Sequence, residues 1–104
     1  MAKKRSEYDY LYISARIHAM ENRMLTRERM ERMLDARTAE DAAKVLTECG
    51  YEDFPALTPA AIEHLLDQAR LELFADLRKA SPDPGIVDVF CIKYDYHNAK
   101  VLLK

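Results

Sequence analysis

Apolar positions recur at helical spacing from near the start of this chain. Between about Glu7 and Leu25, Leu11, Ala15, His18 and Ala19 form one row, and Ile13, Ile17, Met20 and Met24 form a second. The rows are adjacent, so the predicted helix carries a wide apolar face that needs more than one neighbour. Arg16, Glu21, Asn22 and Arg23 fall largely off it. Thr26 predicts the N-cap of a short second helix, with Met30, Met33 and Leu34 on one side and Arg27, Glu28, Glu31 and Arg32 on the other. No glycine or proline marks the junction, which leaves a separate helix and a bend both open.

Thr38 with Asp41 three residues on reads as a capping box with the shorter acid, opening a third helix. Ala39, Ala42, Ala43, Val45 and Leu46 fill that helix, and Gly50 is the expected residue just past its end. Tyr51 to Leu57 reads as a loop. Thr58-Pro59 is the strongest start signal in the chain, a hydroxyl cap followed by proline at the first helical position. The fourth helix is predicted to run to about Lys79, with Ile62, Leu65, Leu66, Ala69, Leu73 and Leu77 on one face, until Ser81-Pro82-Asp83-Pro84-Gly85 ends it.

Ile86 to Ile92 is β-branched and apolar on nearly all sides, as a buried strand would be. Continued through Tyr94, His97, Val101 and Leu102, the segment regains a helical stripe, and its length without a breaker favours a helix surrounded by neighbours. The stripe is still running at Lys104, which leads to the expectation that the chain is one domain, 1–104, and a fragment of something longer. The expected class is all-α, an irregular bundle of about five helices.

Composition narrows the chemistry. The chain has 104 residues, enough for one core, and 49% of them are apolar, which argues against disorder. Its two glycines, Gly50 and Gly85, are too few for phosphate-binding loops or a meander of hairpins. No apolar run approaches the ~20 residues of a membrane span, and Lys3-Lys4-Arg5 is followed by acids rather than by the apolar segment of a signal peptide. Cys49 and Cys91 make no disulfide framework and no paired-cysteine motif, which fits a reduced cytosolic setting and small buried side chains. His18, His64 and His97 lie on different segments without a second ligand at helical spacing, so no metal is expected, and no cofactor or catalytic signature is present.

Five arginines between Arg23 and Arg37 make the most basic stretch, but Glu28, Glu31 and Asp35 are interleaved and the net charge is −2. Nucleic-acid binding rests on concentrated positive charge, so it stays a weak alternative. Met20, Met24, Met30 and Met33 recur at a spacing for which core packing is the commoner explanation. In Lys93-Tyr94-Asp95-Tyr96-His97-Asn98, polar groups sit within an apolar frame. If that helix is central, Asp95 or Asn98 needs a buried partner, for which Arg16 is the candidate; a solvent-facing Asp95 is the equal alternative.

Two stretches together resemble a known family. Tyr10-Leu11-Tyr12-Ile13-Ser14-Ala15-Arg16-Ile17-His18-Ala19-Met20-Glu21, with Met24-Leu25, looks like the opening of the C subunit of V/A-type ATPases, whose eukaryotic relative is the d subunit of the vacuolar proton pump. Asp83-Pro84-Gly85-Ile86-Val87-Asp88 through Lys93-Tyr94-Asp95-Tyr96-His97-Asn98-Ala99-Lys100 resembles the same family's later and more specific motif. The resemblance implies an all-helical fold, with a helix rather than a strand over 86–104. It also implies that this is the N-terminal one of three similar helical units around a funnel. The implied role is non-catalytic: a cytoplasmic central-stalk subunit, peripheral to the membrane, that seats the rotor shaft on the membrane ring and transmits torque for proton or sodium transport. Shaft and ring subunits are the implied partners. Tyr10, Tyr12, Arg16, Lys93, Tyr94, Asp95 and Asn98 match the motifs and are candidates for structural or interface roles. A stand-alone helical module binding protein or nucleic acid is the alternative. The apolar face left uncovered leads to a further expectation, that the chain alone self-associates through Val101-Leu102-Leu103 and the first helix.

Overall fold

A computed structural model describes residues 4–104. Among them lie a 3-10 turn, Glu7–Tyr10, and five helices: α1 Leu11–Glu21, α2 Arg27–Leu34, α3 Ala39–Glu48, α4 Pro59–Ala80 and α5 Pro84–Leu103. No strand occurs among the described residues, and the segment 86–92 is helical. The protein is all-α. Two compact units are distinguishable: the described residues up to Ala15 together with Leu71–Lys104, and Arg16–Arg70.

Helix starts follow their capping residues. Ser6 and Asp9 cap each other reciprocally, with the Ser6 amide donating to Asp9 Oδ2 at 2.9 Å. That pair winds the first turn as a tight 3-10 turn, so the α-helical part of the first segment begins only at Leu11. Thr26, Thr38 and Thr58 each accept an amide three residues on, at 3.3, 3.1 and 3.2 Å. At Thr38 the Asp41 carboxylate takes the Lys44 ammonium at 3.1 Å. Hydrogen bonds from Lys44 and then Thr38 hold the Asp41 carboxyl below its ordinary value.

In the unit Arg16–Arg70, α1 stops at Glu21, four residues short of the expected Leu25. The chain tightens there through amide bonds from Arg23 to Met20 and from Met24 to Glu21. The Arg29 guanidinium then donates to the carbonyl of Met24 at 2.6 Å and of Asn22 at 3.4 Å. A long side chain thus does the work of glycine or proline, and α2 is a separate helix. α3 ends in a Schellman motif: Gly50 N–H donates to Thr47 O at 2.9 Å and Tyr51 N–H to Leu46 O at 3.2 Å. Gly50 is at φ +91°, the left-handed conformation that motif requires. Val45 on α3 and Cys49 at its C-cap, one turn apart, are buried, and Met33 and Ala36 on the α2 side are half-buried.

In the other unit, Val87 near the start of α5 is buried. Phe74 of α4 meets Tyr94 of α5 edge-to-face, with ring centroids 5.8 Å apart and planes at 66°. Arg78 of α4 pairs with Asp88 of α5 at 2.5 Å. The two contacts step away from the turn in opposite chain directions, so this end of α4 and α5 run antiparallel.

Three expectations need correction. α5 is not enclosed: Ile86, Val89, Phe90, Ile92 and Tyr96 are all exposed. Met24 and Met30 are exposed too, and only Met20 and Met33 are half-buried. Cys49 is buried as expected of a small apolar side chain, but Cys91 is half-buried.

Candidate interaction surface

The α4–α5 turn is the most heavily tied polar structure in its unit. Asp83 is the N-cap of α5 and accepts the Gly85 amide at 3.1 Å. Its second oxygen takes the Arg5 guanidinium at 2.8 Å, which fastens the N-terminal segment to the turn. Ser81 Oγ donates to the Asp83 carbonyl at 2.9 Å and accepts the Asp83 amide at 3.2 Å. A Cβ at residue 85 would lie 3.2 Å from Asp83 Oδ1, a close approach that favours glycine there. The Arg78–Asp88 pair closes the base of the turn.

The motif residues distribute unevenly around this frame. Tyr94 is half-buried and stacked on Phe74. Lys93, Asp95 and Asn98 are exposed on α5, so Asp95 faces solvent, one of the two readings the sequence leaves open. Tyr10 and Arg16 are half-buried, and Tyr12 is exposed. The structure therefore gives Tyr94 a packing role and leaves Lys93, Asp95 and Asn98 accessible at separate positions around α5. The residues that tie the turn are Arg5, Arg78, Ser81, Asp83 and Asp88. By sequence, Ser81–Gly85 signals only a helix stop. Yet Asp83-Pro84 carries the same cap-then-proline signal as Thr58-Pro59, and that signal marks the start of α5.

The arginine-rich stretch lies in the other unit and is largely occupied. Arg27 pairs with Glu31 at 3.1 Å. Arg32 makes a two-pronged bond to Glu48, at 2.8 and 2.9 Å, that clamps α2 to α3. The hydrogen bond from Arg32, with its charge, holds the Glu48 carboxyl below the ordinary glutamate value, and the same bond raises Arg32. With Arg29 turned inward to backbone carbonyls, these cations serve the fold rather than an open basic patch. No group of three or more metal-ligating side chains converges among the described residues. No helix among them is long and apolar enough to cross a membrane.

What the frame offers is a pair of ion-paired helices with an accessible apolar flank. A family model described as ATP synthase (C/AC39) subunit matches residues 13–104, which takes in Arg16 and the whole of the later motif. The C subunit of the V-type sodium ATPase of Enterococcus hirae is 26% identical over 99 residues, covering 92% of this chain and 30% of that protein. The chain thus spans about a third of the length of that curated relative. No solved structure matches.

Proposed function

We propose a function on one premise: the chain belongs to the ATP synthase (C/AC39) subunit family. It acts as part of a non-catalytic central-stalk subunit of a rotary V/A-type ATPase, coupling the shaft to the membrane ring so that ATP hydrolysis drives ion transport. In this reading the chain is one helical unit of the subunit, bound peripherally to the cytoplasmic side of the membrane through the ring. The relative's name points to sodium as the ion, with protons as the other possibility.

The observation that carries the reading is the family match over residues 13–104, which takes in all of the helical chain but the 3-10 turn and the first two residues of α1. The physical structure is compatible with it. A coupling element has to transmit force without unwinding. Here helix starts are capped, α2 and α3 are clamped by Arg32–Glu48, and the α4–α5 turn is pinned by Arg5–Asp83 and Arg78–Asp88. Exposed Lys93 and Asn98 on α5, with Tyr12 on α1, are the motif residues we assign to contact with neighbouring subunits. Nucleic-acid binding is disfavoured by the engagement of Arg27, Arg29 and Arg32 within the fold.

The test is co-purification. A tagged copy of the chain, expressed in its native cell, is expected to bring down shaft and ring subunits from solubilised membranes. Recovery of an intact ATPase from the same membranes without the tagged chain would reject the assignment.

A further inference from the structure

No further inference is drawn: the strongest candidate, the outward face of α5, where Lys93, His97 and Lys100 line up between exposed Phe90 and Tyr96, is an unpartnered face, and nothing in the structure shows what covers it.

Discussion

At Gly50 the chain turns out of α3 with φ at +91°, and the space where a Cβ would go holds only the Arg23 side chain, 3.5 Å away. Room is available, so the demand for glycine comes from the backbone. Gly50→Ala is expected to destabilise the chain by about 1 kcal/mol, and Gly50→Asn by less, as measured by urea unfolding. Asp83 separates two effects that are usually mixed. Asp83→Ala removes both the cap of α5 and the Arg5 pair, at a cost of at least about 1 kcal/mol. Asp83→Asn keeps the cap and loses only the ion pair, whose partners are each a third or more exposed, so it should cost much less. Equal losses for the two variants would show that the cap contributes nothing. Glu48 gives a signed pH dependence. Its carboxyl is held low by Arg32, so its contribution to the α2–α3 clamp is complete above the ordinary glutamate value and is lost as pH falls through the lowered one. A carboxyl-carbon NMR titration should place the Glu48 midpoint below that of an unpaired glutamate. Arg32→Gln should bring it back up.

At the scale of elements, the starts of α2, α3 and α4 are legible in the sequence because Thr26, Thr38 and Thr58 are local signals that act through the next three residues. The end of α1 is not, because it is set by Arg29 reaching back across the junction to Met24 and Asn22. Arg32–Glu48, Arg78–Asp88 and Arg5–Asp83 are likewise invisible there, being pairings between residues 16, 10 and 78 positions apart that only the folded chain brings together. The later motif stands out as a pattern, but its division into a stacked Tyr94 and exposed Lys93, Asp95 and Asn98 depends on which side of α5 meets α4. The apolar character of α5 suggests burial on all sides, and the structure buries one side near Val87. Within each unit the buried anchors are few. Val45→Ala on α3 and Val87→Ala on α5 should each cost about 2 kcal/mol, the loss of two methyl groups plus the cavity they leave. Calorimetry of the two variants checks this, and an unchanged melting temperature for either would show that its helix is held by something other than that side chain.

For the whole molecule, the resemblance, the all-α architecture and the family match over residues 13–104 point the same way. The chain supplies packed, end-tied helices and contact surfaces, and the role we propose for it is to carry force between an ATP-hydrolysing head and an ion-carrying ring. Such a role makes a demand that neither a catalytic subunit nor an incidental binding module shares: hydrolysis and transport must come apart when it is missing. The most direct measurement follows ATP hydrolysis and ATP-driven ion uptake side by side in membrane vesicles prepared with and without this chain. The account predicts that uptake disappears in its absence while the head still hydrolyses ATP, and that adding the protein back restores uptake. Uptake that proceeds at the same rate without it would contradict the account.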